Sequence, residues 1–367
     1  MNFQPPKRTL MGPGPSDVHP RVLEAMSLPT IGHLDPEFIH LMDEIKILLQ
    51  KTFLTKNDAT ILLSGPGSLG MEACFANLVE PGDKVLVCVN GFFGGRMREN
   101  AERCGGRILI AESEWGKAIN LSEVEDILKK QKDIKILAFV HAETSTGVLN
   151  DAESLSRLAK NFDCITIADT VTSLGCVPVK VDEWRIDAAY SCSQKGLSCP
   201  PGLSPVSFSA LAMDKINNRK TKVQNWFLDL NLLMLYWSGT KRTYHHTASS
   251  NAYYSMYEGL RILQEEGLEN SWDRHYRNYL KLKSRLENIG LQYLVDEKDR
   301  IPHLNAVKIP PGADDARVRS RLLNEYNLEI GTGLGPLAGR IWRIGLMGYS
   351  SNEKNINYCI DCLKRVL

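Results

Sequence analysis

What this 367-residue sequence lacks narrows its function first. It has no apolar run of about twenty residues, the length a membrane-spanning helix needs, so no membrane role is expected. It has no excess of either charge. The formal net charge is +1, which speaks against a nucleic-acid partner or an anionic lipid surface. Its opening, "MNFQPPKRTLMGPGPSD", carries no apolar signal core, and its close, "LKRVL", is not the peroxisomal Ser-Lys-Leu address. A cytoplasmic protein is expected. Metal-site spacing is missing too. The nine cysteines are scattered, mostly in apolar segments such as those of Cys74, Cys88 and Cys164, and read as reduced thiols. Cys359-x-x-Cys362 has no second pair and sits in a helical pattern, which favours packing. His245-His246 has no companion cluster and reads as interface packing. No metal is expected.

What is there is an ordinary apolar content of 43% and a regular alternation. Between residues 60 and 209, short β-rich runs alternate with helical patterns, which predicts a mostly parallel seven-stranded sheet between helices. The runs are "ATILLS", "KVLVCVN", "RILIAE", "KILAFVH", "CITIAD", "DAAYSC" and "SPVSFS". Each is nearly all apolar, as expected of strands buried on both faces. Past residue 260 a long charged amphipathic pattern leads into a smaller α/β unit. The expected organisation is a large domain over 21–260 and a small C-terminal domain over 261–367. The Pro- and Gly-rich residues 1–20 would wrap the small domain or a partner subunit. The stretch "QNWFLDLNLLMLYWSG" reads as core or dimer contact.

The glycines Gly65-x-Gly67-x-x-Gly70 follow the first strand and open a helix. A dinucleotide site would need an acidic residue at the end of the second strand, but "KVLVCVN" ends in Asn90-Gly91. A triphosphate loop would need Gly-Lys-Ser/Thr, and "GPGSLGM" has no lysine. What remains is a turn whose free N–H groups suit one small phosphate, or a tight turn with no ligand. The Ser68 hydroxyl would cap the helix or donate to a phosphate oxygen.

Three further strands end in polar residues: Glu143-Thr144-Ser145, Asp169-Thr170 and Ser193-Gln194-Lys195. In a parallel sheet these ends share the edge where ligands bind. Asp169 and Lys195 there could be a structural ion pair. They also match what pyridoxal 5′-phosphate requires: an amine to join its aldehyde and a carboxylate to keep its pyridine nitrogen protonated. The glycine turn would then hold the phosphate. His141-Ala-Glu143 echoes the His-x-Glu of zinc deaminases, but no Pro-Cys-x-x-Cys follows, and Glu143 reads as structural.

With these residues in place, the chain resembles the class V pyridoxal-phosphate aminotransferases, of the alanine–glyoxylate and serine–pyruvate type. The likeness rests on "LMGPGPSDVHPRVLEAM", "SGPGSLGMEA", "EPGDKVLV", "NGFFGGR", "HAETSTGVLND", "DTVTSLG", "SQKGLSCPPG", "YHHT", "GLENSW" and "WRIGLMG", in that order. It implies an α/β fold of pyridoxal-phosphate fold type I and a homodimer with shared sites. It implies that Lys195 and Asp169 are catalytic and that Val171 and Phe93 pack on the ring. Thr144 and Gln194 would contact the cofactor, with Gly67 and Ser68 at its phosphate. Tyr244 and Thr247 would reach the phosphate of the neighbouring subunit, and Arg343 would take the substrate carboxylate. Three departures stand out: Pro66, Ser68 and Phe93 replace the serine, histidine and tryptophan of the family's animal members.

The implied reaction is ping-pong transamination from alanine or serine to glyoxylate or pyruvate. One carboxylate anchor, Arg343, suits small monocarboxylates better than glutamate or aspartate. The alternatives are a phosphonate-amine or kynurenine-type transaminase, a nicotinamide dehydrogenase and a silent binding subunit. A cysteine desulfurase would need a cysteine on a mobile loop, whereas Cys359 and Cys362 are expected in a helix.

Overall fold

The computed structural model describes residues 2–239 and 241–367. All seven apolar runs become strands of one sheet: β1 (Ala59–Leu63), β2 (Lys84–Val89), β3 (Arg107–Glu112), β4 (Ile134–Val140), β5 (Ile165–Asp169), β6 (Ala188–Tyr190) and β7 (Ser204–Phe208). Their spatial order is β1-β7-β6-β5-β4-β2-β3. Strand β7 runs antiparallel to both its neighbours, and the other adjacent pairs are parallel. The expected mostly parallel α/β architecture is present. One expectation needs correcting. β3 is an edge strand with Ala111 as its only buried residue, whereas β1, at the other edge, is buried throughout and packed against the helix Pro36–Phe53.

Helices α1 (Pro20–Met26) and α2 (Pro36–Phe53) precede the sheet, and α3 (Gly67–Leu78), α4 (Phe92–Arg103), α5 (Leu121–Lys130) and α6 (Ala152–Lys160) follow its strands. Local chemistry starts them where they start. Asp35 accepts the Glu37 N–H at 2.9 Å with Pro36 in the first turn, and Asp151 accepts the Ser154 N–H at 2.9 Å. Helix α7 (Ala210–Asn217) follows the last strand, and α8 (Leu230–Trp237) comes from the aromatic stretch. Leu230, Leu233, Tyr236 and Trp237 of α8 are buried, while Leu235 is exposed.

Gly70 sets how closely α3 lies on the sheet. A Cβ there would stand 2.2 Å from Ser204 Oγ and 3.0 Å from Tyr190 Cβ. Ser204 cannot swing away freely, since its hydroxyl donates to the Ser191 carbonyl at 2.8 Å. Gly70→Ala is therefore expected to destabilise by about 1–3 kcal/mol through overpacking, against the ~1 kcal/mol that alanine adds in helix propensity. A urea midpoint that is unchanged or raised would refute the close approach.

Helix α9 (Ser250–Glu266) packs with the large sheet, and α10 (Leu268–Asn288) follows after Gly267. Beyond them, β8 (Leu304–Lys308), α11 (Asp315–Tyr326), β9 (Gly331–Thr332), β10 (Ile341–Gly345) and α12 (Glu353–Val366) form a smaller unit. Its sheet has the order β8-β10-β9, all antiparallel. The apolar cluster passes from one unit to the other between Leu263 and Tyr279. Cys359 and Cys362 lie on α12 inside the smaller cluster, as packing residues. Residues near the N-terminus join that unit: Thr9–Leu10 pairs in parallel with Leu328–Glu329, and Met11 is buried in its core. Among the described residues, no helix is long and apolar enough to cross a membrane.

Candidate active site

Register brings the site together. Val140, Asp169 and Tyr190 are successive partners across β4, β5 and β6, so the polar residues after them emerge side by side. The N-terminal ends of α3 and α4 reach the same edge. A cavity of about 140 Å³ opens there. Of the residues singled out in the sequence, Gly67, Ser68 and Phe93 line one part of it, and Thr144, Asp169, Val171, Gln194 and Lys195 the rest.

Asp169 is buried, and each of its oxygens is held: Oδ1 accepts the Val171 N–H at 2.8 Å and Oδ2 accepts the Tyr190 hydroxyl at 2.7 Å. Burial outweighs both bonds and pushes its carboxyl up to about 7. No ion pair joins Asp169 to Lys195. The Lys195 ammonium instead donates to the Pro13 carbonyl, so the simple ion-pair reading does not hold. Burial lowers the Lys195 amine below the ordinary lysine value, and the nearby positive charge of Arg343 lowers it further. Residues 13 and 14 thus cover the amine. Gly14 has φ +115, and a Cβ there would fall 2.3 Å from Lys195 Nζ, so this cover requires glycine.

Helix α3 begins after Pro66, which contributes no side-chain cap. Ser68 sits inside the first turn with an exposed side chain, and it does not cap the helix as the sequence suggested. Gly67 and Ser68 line the cavity at the helix start, where their N–H groups have no helical acceptor, while the Leu69 N–H already donates to the Pro66 carbonyl at 2.7 Å. The Gln194 side-chain oxygen is buried without a partner at the same place.

Glu143 is structural, as expected, and its role is specific. It is fully buried and accepts the N–H groups of Phe93 and Gly94 at 3.1 and 3.2 Å, together with the Ser145 N–H at 3.0 Å and hydroxyl at 2.6 Å. The carboxylate anchors the start of α4, and hence Phe93, to the end of β4. Glu143→Ala leaves these donors unsatisfied and is expected to cost about 1–3 kcal/mol. Chemical denaturation would register this as a lower midpoint, and an unchanged midpoint would show that the anchor is dispensable.

Arg343 lies on β10, next to the cavity and only 6% exposed. Its Nε donates to the Thr332 carbonyl at 2.7 Å and its Nη1 to the Thr144 carbonyl at 3.1 Å. Burial pushes it down to about 10, so it stays cationic at neutral pH, with no carboxylate within salt-bridge distance among the described residues. Tyr244 and Thr247 are not brought to this cavity. Both are exposed, and Tyr244 leans on His33 at 5.1 Å between ring centroids. His245 stacks on Trp226 at 4.6 Å, and His246 shares a hydrogen bond with Ser64 at 2.9 Å. Among the described residues, no group of three His, Cys, Asp or Glu side chains is placed to hold a metal.

Three contributors were not visible in the sequence. Tyr190 reads there as one more apolar residue of a strand, Pro13 belongs to a segment given no element, and Arg96 stands in "NGFFGGR" with no role given to it. All three meet the site: Tyr190 and Arg96 line the cavity, and Pro13 accepts from Lys195.

The family model for aminotransferase class-V matches residues 10–353. The chain belongs to the class-V aminotransferases. A member from Rattus norvegicus, an alanine–glyoxylate aminotransferase, is 40% identical over 365 residues, covering 99% of this chain and 88% of the rat one. The crystal structure of an alanine–glyoxylate aminotransferase from Nostoc sp. matches with a TM-score of 0.97 at 48% identity, covering 100% of this chain and 97% of its own. A ureidoglycine–glyoxylate aminotransferase from Bacillus subtilis matches with the same TM-score at 38% identity, covering 100% and 94%. This class-V aminotransferase is a transaminase, acting on amino acids and oxo acids.

Proposed function

We propose that this transaminase uses pyridoxal 5′-phosphate to move the amino group of alanine or serine to glyoxylate or pyruvate. The observation that carries the reading is the meeting, on one cavity, of a lysine amine, a buried carboxylate and an uncapped helix N-terminus. The residues fit the cofactor. The first turn of α3 with Gly67 and Ser68 would take the phosphate. Phe93 and Val171 would enclose the ring, Thr144 and Gln194 would meet its polar edge, and Asp169 would hold the pyridine nitrogen. Pyridoxal phosphate, when bound, supplies an aldehyde for the amino group and a ring that takes up the electron pair left on the α-carbon.

The chain's own residues do the rest. Lys195, lowered from its ordinary pKa by burial, supplies the amine that would take the proton from the substrate α-carbon and later return it. Tyr190 and Val171 orient Asp169. Arg343 is a nearly buried cation without a carboxylate partner, which suits it to the carboxylate of a small substrate. Residues 21–260 would thus carry the cofactor and residues 261–367 the substrate anchor. Tyr244 and Thr247, exposed here, would complete the phosphate site of a second subunit in a cytoplasmic homodimer.

The test is a titration. Pyridoxal phosphate added to the protein is expected to give a visible absorbance band, and alanine or serine should discharge it faster than glutamate does. Absence of the band sinks the cofactor, and faster discharge by glutamate sinks the donor assignment. A relative is named for ureidoglycine, so that amine belongs in the same screen.

A further inference from the structure

We infer that Arg96 is a phosphate-binding residue, a guanidinium that replaces the backbone N–H lost at Pro66; this rests on the pyridoxal-phosphate reading above. Pro66 stands at the start of α3, where a non-proline residue would offer an N–H to an anion. A compensating donor is needed on the open side of that turn, and α4 supplies one. Phe93, Arg96 and Asn100 recur at helical spacing on a single face of α4, and this face meets α3. Asn100 Nδ2 lies 3.5 Å from Met71 Sδ, and Arg96 lines the same cavity as Pro66, Gly67 and Ser68.

The state of the side chain points the same way. Its guanidinium lies over the rings of Phe92 and Phe93, at 4.9 and 5.4 Å from their centroids. Stacking uses the planar face and leaves the edge N–H groups free for a bidentate anion. Its helix neighbours are paired: Arg98 with Glu102 and Arg103 with Glu99. Arg96 has no carboxylate within 4 Å among the described residues, although Glu99 is one turn away. The arrangement is a cation held in place by aromatics and reserved for an anion that the helix start alone holds incompletely.

The experiment compares binding of pyridoxal phosphate and of pyridoxal, its dephosphorylated form, to cofactor-stripped protein, read by quenching of tryptophan fluorescence rather than by turnover. Wild type should prefer the phosphate form strongly. Arg96→Gln should narrow that preference about tenfold or more, the scale of a charge-assisted bond, by weakening only the phosphate form. Arg96→Lys should recover part of it, and Arg98→Gln, on the solvent side of the helix, should leave it unchanged. An Arg96→Gln protein with an unaltered preference overturns the inference, as does equal weakening of both ligands. Failure of wild type to bind either ligand overturns the cofactor reading instead, so the two failures are distinct.

Discussion

Replacing Lys195 by alanine is expected to lower transamination by at least ~10²–10⁴-fold, the contribution of positioned proton transfer alone. The visible band expected of the wild-type protein should be lost as well. The reason is geometric. Among the lysines, Lys195 alone lines the cavity, and its amine is held there by the Pro13 carbonyl and depressed by burial. Among the described residues lining the cavity, no other side chain offers an amine. Folding should survive, because the amine's hydrogen bond goes to a carbonyl of the N-terminal segment and not into the sheet. A small amine such as methylamine, supplied in solution, should restore part of the rate, which a purely structural lysine would not permit. A Lys195→Ala protein retaining a tenth or more of wild-type turnover would end the mechanism offered here.

Replacing Asp169 by asparagine should cost on the order of 10²–10³-fold in turnover, the scale of removing one preorganised electrostatic contact. It should also change the pH dependence of stability. Because the folded-state pKa is raised from about 4 to about 7, the folded protein binds this proton more tightly than the unfolded chain does. The contribution is fully present below pH ~4 and is lost as pH rises towards 7, at roughly 1.4 kcal/mol per unit at most. Cofactor-free wild type should therefore lose stability across that window relative to Asp169→Asn, by denaturant titration at a series of pH values. Glu143 is also raised by burial and titrates in both proteins. A cation placed beside Asp169 would favour its charged form, so loading with pyridoxal phosphate should flatten the slope. An equal slope in the two cofactor-free proteins would show that the Asp169 carboxyl is not raised, and a slope unaffected by loading would place the ring nitrogen elsewhere.

Much of this molecule was readable before folding. The seven strands were visible because buried parallel strands are continuous apolar runs, and Asp169 and Lys195 were visible because they interrupt those runs at their ends. Gly70 belongs to a turn expected to hold one small phosphate or no ligand, and it serves helix-on-sheet packing. Ser68 looked like a cap and is not one, since Pro66 already occupies the capping position. β3 carries the same pattern as its siblings and yet is largely exposed, which nothing in its own residues reveals. Arg96 and Arg98 are both arginines of one helix. Only the packing of α4 on α3 separates the one turned to the cavity from the one paired in solvent.

By itself the sequence determined the order of strands and helices, the residues at strand ends and the family, because periodicity and local turn chemistry act over a few neighbouring residues. The tertiary structure alone decided which distant groups meet: Tyr190 on Asp169, Pro13 over Lys195, Thr144 on Arg343, and Arg96 beside Ser68. Those contacts join segments far apart in the chain. They follow from strand order and from how closely the helices dock, and that is settled by burying the whole apolar surface at once rather than by any one segment's preference.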